Sequence, residues 1–240
     1  MNRTLVFTNG AVAPFSLGSI FCVGRNYAEH AAELGNAVPE APLLFSKPAG
    51  AVQAVRYGQP STIVIPTGQG ACHHELEIAL LIGKPVTAEL LAHLPEQSDA
   101  AILATISGVG LALDLTLRDV QDQLKQAGHP WERAKAFHGS CPLTDFVPVA
   151  DMGPLDAMRL RLLRNGNVQQ EGDATQMIFS LAALLREIAQ VFSLQPGDVV
   201  LTGTPAGVGP LQPGDELTLE LVTGSKQCLQ WHVRVAAANV

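Results

Sequence analysis

The sequence predicts an α+β fold in which β-strands predominate. Strand-like and helix-like segments follow one another without the regular alternation that builds a doubly wound parallel sheet. Of the 240 residues, 47% are hydrophobic and only 15% are charged, which supplies enough apolar surface for a substantial core. No polar linker or composition shift divides the chain, so we expect one domain over residues 1–240, with residues 1–50 as a small N-terminal portion packed on or over it.

Strand patterns dominate the first half of the chain. A short helix is predicted over residues 28–34, because Gly35 is suited to end it. Segments rich in apolar or β-branched residues predict strands at 18–24, 43–48, 61–66 and 75–83. The apolar stretch 99–110 does not distinguish a helix from a strand.

The second half combines two helices with further strands. An apolar stripe at helical spacing predicts a helix from about Thr116 to Ala127, and a second stripe follows the N-cap candidate Ser180. Two Gln-Pro-Gly-Asp turns, at 195–198 and 212–215, each precede a run rich in β-branched residues or leucine. We therefore expect the chain to end in strands.

Charge and composition exclude several classes of protein. The 15 Lys and Arg residues against 22 Asp and Glu give a net charge of −7, which argues against nucleic acid as the main partner. The N-terminus lacks the pattern of a signal peptide, and the longest uncharged apolar stretch, 100–113, is shorter than the roughly 20 residues of a membrane span. Four widely spaced cysteines without a Cys-x-x-Cys pair indicate reduced, mostly buried thiols in a cytoplasmic protein.

Two glutamates at the start of a predicted strand are candidates for a metal-binding site. Glu75 and Glu77 are two residues apart, so their side chains lie on the same face of the strand. Two such carboxylates on an apolar strand need a cation, and oxygen ligands favour Mg²⁺, Mn²⁺ or Ca²⁺. A solvated strand end is the competing interpretation. Asp114 fits either a third ligand or a helix cap.

Groups that could bind an anion or move a proton lie elsewhere in the chain. Arg118 and Gln121 are three residues apart on a predicted helix, so they can form an anion pocket beside a metal. Lys135 could serve the same end, although a lysine between alanines is typical of a surface. His30 and Glu33 are also three apart, which permits either a general-base dyad or an exposed pair without function.

A glycine-rich segment at 201–209 has the backbone donors and hydroxyl groups of a loop that grips a carboxylate. It lacks the Gly-Lys-Ser/Thr of a P-loop, and no Gly-x-Gly-x-x-Gly fingerprint or Gly-x-Ser-x-Gly elbow is present. Nucleotide cofactors and serine hydrolysis are therefore disfavoured.

Short motifs at these positions identify a resemblance that covers nearly the whole chain. They are 22–30 (Cys-Val-Gly-Arg-Asn-Tyr-Ala-Glu-His), 45–48 (Phe-Ser-Lys-Pro), 73–77 (His-His-Glu-Leu-Glu), 114–121 (Asp-Leu-Thr-Leu-Arg-Asp-Val-Gln), 131–137 (Trp-Glu-Arg-Ala-Lys-Ala-Phe), 140–142 (Ser-Cys-Pro), 170–172 (Gln-Glu-Gly), 177–180 (Met-Ile-Phe-Ser) and 201–205 (Leu-Thr-Gly-Thr-Pro). In this order and spacing the chain resembles the fumarylacetoacetate hydrolase family, in its branch of acylpyruvate hydrolases and oxaloacetate decarboxylases.

The resemblance implies a β-rich mixed sandwich or roll with a few flanking helices, usually assembled as a homodimer. It implies a Mg²⁺ or Mn²⁺ ion held by Glu75, Glu77 and Asp114. His30, Glu33 and Lys135 would be catalytic, the first two on a lid helix at about 26–35. The substrate would be bound by Arg25, Lys47, Arg118, Gln121 and Thr204.

The resemblance also implies a reaction class centred on a small 2-oxo acid. We expect a divalent-metal-dependent hydrolase that cleaves the C–C bond of acylpyruvates such as fumarylpyruvate, because a complete His–Glu dyad is unnecessary for simple decarboxylation. An oxaloacetate decarboxylase or keto–enol tautomerase is the alternative within the enzyme class. A protein that binds 2-oxo acids without turnover is the alternative outside it.

Overall fold

The computed structural model describes residues 4–35, 37–93 and 98–238, in which strands predominate. In chain order the strands are β1 (Thr4–Val6), β2 (Val12–Ser16), β3 (Ile20–Gly24), β4 (Leu43–Lys47), β5 (Val52–Val55), β6 (Ser61–Ile65), β7 (Cys72–His74), β8 (Leu76–Ile82), β9 (Ile106–Leu113), β10 (Thr116–Leu117), β11 (Cys141–Thr144), β12 (Val147–Pro148), β13 (Arg159–Arg164), β14 (Asn167–Asp173), β15 (Val199–Leu201), β16 (Gly209–Pro210), β17 (Glu216–Val222) and β18 (Cys228–Ala237).

Helices flank these strands. They are α1 (Ala28–Glu33), α2 (Ala88–His93), α3 (Asp99–Leu103), α4 (Arg118–Ala127), α5 (Glu132–Lys135) and α6 (Leu181–Val191), with short 3₁₀ turns at Ala49–Ala51, Val149–Asp151, Leu155–Ala157 and Ala174–Gln176. None of the helices in the described ranges has the length and apolar character needed to cross a membrane.

The largest sheet brings four strand ends to one edge. Its strands follow the order β4-β3-β15-β8-β9-β11-β5, with β12 paired to β9. β8 is antiparallel to both β9 and β15, whereas β15 is parallel to β3. The beginning of β8 therefore lies beside the ends of β9, β15 and β3. Segments that follow or precede these strands are gathered at that edge, although they are far apart in the sequence.

Both faces of the large sheet are covered, so β8 is buried along its whole length, and every residue of it except Glu77 is apolar. Ile78 and Leu80 face a cluster that also contains Leu219 of the five-stranded sheet β14-β13-β17-β18-β6 and Leu185 of α6. Ala79 and Leu81 face a second buried hydrophobic cluster on the opposite side of the sheet. The fold is thus the predicted β-rich α+β sandwich with a few flanking helices.

Most predicted elements are present, and two differ in an instructive way. The ambiguous stretch 99–110 contains both types, since α3 ends before β9 begins at Ile106. The predicted helix at 116–127 opens with two strand residues, because Thr116 and Leu117 pair with β7, and only then becomes α4. Gly128, in the left-handed conformation, ends it as expected.

The two Gln-Pro-Gly-Asp turns have the same construction. Asp198 Oδ2 accepts a hydrogen bond from the Gln195 amide at 2.8 Å, and Asp215 Oδ2 accepts one from Gln212 at 2.8 Å. The other oxygen of Asp198 accepts from the Ser19 amide, which ties this turn to the start of β3. The N-terminal portion is joined to the rest of the fold in the same region, since β3 and β4 belong to the large sheet.

Candidate active site

The edge where the strand ends meet carries the candidate site. Glu75 and Glu77 flank the first residue of β8, and Asp114 directly follows β9. Thr204 follows β15 and Arg25 follows β3. All five residues line one pocket, whose empty volume is about 400 Å³ including its open mouth. The topology, and not proximity in sequence, assembles this site.

Three buried carboxylates form the centre of the pocket. Glu75, Glu77 and Asp114 each offer one oxygen, and these atoms lie within 4.8 Å of one another. Burial raises the pKa of Glu77 well above its ordinary value, and the charges of Asp114 and Glu75 raise it further. An all-oxygen donor set with this repulsion fits a hard divalent cation, which would neutralise the carboxylates.

Lys135 lies among the same carboxylates and not on the surface. Its Nζ is 2.8 Å from Glu75 Oε2 and 2.5 Å from Asp114 Oδ2, and the residue is 3% exposed. Burial would lower the pKa of Lys135, but the charges of Asp114 and Glu75 outweigh it and raise the pKa above its ordinary value. Lys135 is therefore a permanent cation in the pocket wall.

Arg118 and Gln121 act as a pair at the start of α4. The guanidinium of Arg118 binds Glu75 Oε1, and its Nη1 donates to Gln121 Oε1 at 2.7 Å. Burial would raise the pKa of Glu75, yet the charges of Lys135 and Arg118 outweigh it and hold this pKa well below its ordinary value. Both Arg118 and Gln121 line the pocket, as the sequence predicts.

Lys47 differs from its predicted role as a substrate contact. The structure does not place it in the pocket lining. Its Nζ is 2.7 Å from Asp114 Oδ1 and donates to the backbone oxygens of Lys135 and Ser140 and to Ser140 Oγ. The side chain is fully buried. Lys47 thus orients Asp114 from within the protein, and its buried amine is not accessible to a substrate.

The glycine-rich loop at 201–209 does grip a carboxylate, but that carboxylate belongs to the protein. The Gly203 amide donates to Glu77 Oε2 at 2.7 Å. Gly203 has a φ of 94°, a conformation that glycine adopts without strain. This bond orients Glu77 toward the other two carboxylates, and it lets Thr204 line the pocket.

A buried amide network behind Thr204 was missed by the sequence reasoning. Gln170 Oε1 accepts from the Leu76 amide at 3.0 Å and lies 2.9 Å from His74 Nδ1. Gln170 Nε2 donates to Thr204 Oγ1 at 2.8 Å and to the Pro205 carbonyl. Gln170 lies in one of the family motifs, and that motif was the only signal available for it.

The predicted His–Glu dyad is positioned by α1. His30 lines the pocket and is 5% exposed, and burial lowers the pKa of its imidazole despite the opposing charge of Glu75. His30 Nδ1 is 3.5 Å from Glu33 Oε2. Glu33 does not line the pocket. Its carboxylate accepts from the Gly207 amide at 3.1 Å and so connects α1 to the loop after β15.

Comparison with known proteins agrees with this geometry. Residues 19–234 match the family described as fumarylacetoacetate (FAA) hydrolase C-terminal, and the chain belongs to that family. It is 47% identical over 211 residues to the oxaloacetate tautomerase YcgM of Escherichia coli, an alignment that covers 88% of this chain and 91% of that protein.

More distant relatives share the same fold. A human mitochondrial oxaloacetate tautomerase is 41% identical over 199 residues, which cover 83% of this chain and 85% of that protein. The crystal structure of a fumarylpyruvate hydrolase from Pseudomonas aeruginosa, in complex with Mn²⁺ and pyruvate, is 32% identical with a TM-score of 0.86 and covers 98% of this chain and 95% of that one. The chain is thus an enzyme of this family, and its acidic triad can hold a metal ion.

Proposed function

We propose that this protein is a divalent-metal-dependent oxaloacetate tautomerase, which interconverts the keto and enol forms of oxaloacetate. The observation that carries the proposal is that the Escherichia coli and human relatives, aligned over 88% and 83% of this chain, are both named oxaloacetate tautomerases. The alternative expected from the sequence therefore replaces acylpyruvate hydrolysis as the leading function.

The acidic triad supports the metal requirement. Glu75, Glu77 and Asp114 would hold the cation, and Mg²⁺ and Mn²⁺ both suit three carboxylates. When bound, the cation supplies a Lewis acid that polarises the keto group of a 2-oxo acid. The Mn²⁺ and pyruvate in the Pseudomonas aeruginosa hydrolase support the same combination of metal and ligand here.

Two cations of the pocket would bind the oxygens of the substrate. Lys135 and Arg118 both line the pocket and both contact Glu75. Because the neighbouring carboxylates raise its pKa, Lys135 stays protonated, so it donates hydrogen bonds and does not act as a base. Donors that face a developing negative charge stabilise the enolate more than the keto form.

His30 would transfer the proton. Burial lowers its pKa, so the imidazole is neutral at neutral pH and can accept the proton from C3 of oxaloacetate. The electron pair of the C–H bond forms the C2–C3 double bond, and the carbonyl π pair moves onto oxygen. Return of the proton to that oxygen yields the enol and restores neutral His30. Glu33 would position the ring, and α1 would serve as the lid.

A second candidate is acylpyruvate hydrolysis. The contact between His30 and Glu33 supports it, because the base that would accept a proton from oxaloacetate could equally activate a water molecule. The likeness to the Pseudomonas aeruginosa fumarylpyruvate hydrolase, at 32% identity, supports it more weakly than the tautomerase relatives support the leading proposal.

The experiment that separates these functions starts from chelator-treated protein with and without Mn²⁺. Enol oxaloacetate is supplied with malate dehydrogenase and NADH, which consume only the keto form, and pyruvate is quantified at the end. We expect Mn²⁺-dependent ketonisation without pyruvate. Pyruvate from oxaloacetate would instead indicate decarboxylation, and stoichiometric pyruvate from an acylpyruvate would indicate hydrolysis.

A matched pair of variants completes this test. Glu77→Gln is expected to abolish the Mn²⁺ dependence, whereas Glu33→Gln is expected to retain it with a lower rate. Binding of 2-oxo acids without any turnover would support a binding protein and contradict both enzymatic proposals.

The proposal extends to assembly and location. We propose a cytoplasmic homodimer, as the family resemblance implies, and no nucleic acid as partner, which the net charge of −7 supports. Light scattering at several protein concentrations tests the dimer, and cell fractionation tests the location.

A further inference from the structure

Two cations in the pocket lining have no part in the proton transfer proposed above, and for Arg25 the family resemblance implies a substrate contact without saying which group it binds. Arg25 and Lys125 both line the pocket, and both are half-buried. Within the described ranges, the guanidinium of Arg25 forms no ion pair or hydrogen bond. The closest carboxylate to Lys125 Nζ is that of the exposed Asp122, at 3.8 Å. Both cations are thus available to a ligand.

The cations of the pocket lining differ in whether they are paired. At the acidic triad, Arg118 and Lys135 are paired with carboxylates at short distance. Lys125 lies on the same face of α4 as Arg118 but seven residues later, about 10 Å further along the helix axis. Apart from Glu75, Glu77 and Asp114, the described lining of the pocket contains no carboxylate. Arg25 and Lys125 are close enough for the charge of Arg25 to lower the pKa of Lys125, so together they add positive charge to the pocket beyond the ion pairs of the triad.

Aromatic side chains hold Lys125 in this position. Its Nζ lies 5.8 Å from the centroid of the Trp131 ring, which itself packs edge-on against Phe45 at 5.9 Å. All three residues line the pocket. The cation–π contact restrains the lysine without neutralising it, so its charge stays directed at the pocket.

The cations also repel one another. Burial lowers the pKa of Lys125, and the positive charges of Arg118, Arg25 and Lys135 lower it further, against the opposing effect of Asp122. An anion bound between Arg25 and Lys125 would relieve this repulsion. An arginine without an ion pair, beside a lysine whose carboxylate contact is an exposed aspartate at 3.8 Å, is suited to bind a carboxylate.

We propose that Arg25 and Lys125 form a distal carboxylate subsite, which binds the substrate carboxylate remote from the 2-oxo acid group. The subsite would make the enzyme selective for 2-oxo dicarboxylates such as oxaloacetate over monocarboxylates such as pyruvate. This inference rests on the proposed function, because it takes the 2-oxo acid group to lie at the acidic triad.

Binding measurements test the subsite without turnover. Calorimetry on the Mn²⁺-loaded protein compares 3,3-difluorooxaloacetate, a dicarboxylate that cannot enolise, with pyruvate. We expect wild type to bind the dicarboxylate at least about tenfold more tightly, since a charge-assisted contact contributes at this level. Arg25→Met and Lys125→Met should each remove most of this preference and change pyruvate binding less than about twofold.

Conservative and control variants sharpen the test. Arg25→Lys and Lys125→Arg keep the charges and should keep most of the preference. Arg133→Met removes an exposed charge of α5 that does not line this pocket, and it should leave both affinities unchanged. If Arg25→Met does not fold, Lys125→Met decides the question alone, because Lys125 lies on the partly exposed surface of α4.

The outcomes separate the subsite from the proposed function. Equal losses of dicarboxylate and pyruvate affinity, or no loss of either, would overturn the subsite. A wild type that prefers the dicarboxylate but does not catalyse tautomerisation would support the subsite and contradict the proposed function. An active tautomerase without this preference would support the proposed function and contradict the subsite.

Discussion

Three carboxylates and three cations lie in and directly behind the pocket wall, and all six residues are buried. Glu75 is paired with Arg118 and Lys135, and Asp114 with Lys135 and Lys47. The paired charges are tolerated because each has a partner, and removal of one partner leaves the other uncompensated. Glu77 has no ion pair within the described ranges and accepts a hydrogen bond from the Gly203 amide. Single substitutions here should therefore have large and distinct effects.

Lys47→Met is predicted to lower the free energy of unfolding by about 3 kcal/mol or more, since it removes a fully buried ammonium that pairs with Asp114. Urea denaturation measures this loss. Lys84→Met, at an exposed lysine, serves as the control and should change stability by less than about 0.5 kcal/mol. Similar small effects for both variants would contradict the assignment of Lys47 as a structural support of Asp114.

The pH dependence of turnover is predicted from His30. Burial lowers its pKa below the ordinary value of 6.5, so the neutral base is present above that lowered pKa and is lost as the pH falls through it. The acid limb of kcat/KM should therefore have its midpoint below 6.5. His30→Gln should lose this limb along with most of the activity. A midpoint at or above 6.5 would argue against His30 as the base.

Among single residues, two glutamates on one face of an apolar strand are a costly pattern that predicts a cation. The structure brings Glu75 and Glu77 together with Asp114, close enough to hold an ion. The motif that implies Lys47 as a substrate contact carries no information on the direction of its side chain. Its amine turns inward to Asp114, which only the packing of the surrounding strands decides.

Among the secondary-structure elements, strand β14 of the five-stranded sheet is joined to the candidate site by one side chain. Gln170 of β14 accepts from the Leu76 amide, between Glu75 and Glu77, and donates to Thr204 in the loop after β15. Its amide orientation is determined at both ends, because the Leu76 N–H must meet an oxygen and the Pro205 carbonyl must meet an N–H. The network thus couples two segments of the active site.

Gln170→Leu is predicted to lower stability by about 1–3 kcal/mol, because the buried Leu76 amide loses its acceptor. It should also weaken Mn²⁺ binding severalfold, since the segment between Glu75 and Glu77 loses its anchor. Calorimetric titration of Mn²⁺ and urea denaturation measure the two effects.

A control lies beside this residue on the same strand. Gln169→Leu replaces a half-exposed glutamine that makes only weak contacts with backbone carbonyls nearby, and it should leave Mn²⁺ affinity unchanged. A double-mutant cycle with Thr204→Val should show coupling to Gln170, and additive effects would refute the network as a functional unit.

Helices and strands are predictable from the sequence where the apolar residues follow a single helical or strand spacing. The apolar face of α6 and its N-cap are both present, and Ser180 Oγ accepts from the Ala183 amide. The stretch 99–110 is ambiguous because it contains the short helix α3 and the first part of β9. β9 is buried on both faces, and such a strand shows no alternation of apolar and polar residues. The pairing of β10 with β7 was likewise invisible, since it depends on a partner about forty residues away.

The whole molecule links metal binding to stability. Binding of an ion to the folded state alone stabilises it by about 2.7 kcal/mol when the free ion is at 100 times its Kd. The pKa of Glu77 is raised by burial and by the charges of Asp114 and Glu75, so the triad without a cation is a region of repulsion. Metal removal should therefore lower the melting temperature.

Glu77→Gln tests this linkage. The variant should be at least as stable as the chelator-treated wild type, because it removes one repelling carboxylate while the Gly203 amide keeps an acceptor. It should gain no stability from Mn²⁺, in contrast to wild type. Thermal unfolding with and without Mn²⁺ measures both values. An equal rise in melting temperature for the two proteins would show that the ion binds elsewhere.

Local periodicity predicts the fold class, and the short motifs predict the family and, through it, Asp114 as the third carboxylate beside Glu75 and Glu77. Which groups face the pocket depends instead on tertiary packing. The antiparallel and parallel pairing of four strands places Glu75, Asp114, Thr204 and Arg25 at one edge, and no local pattern encodes that pairing. The inward turn of Lys47 and the place of Lys125 in the pocket lining follow from the same packing.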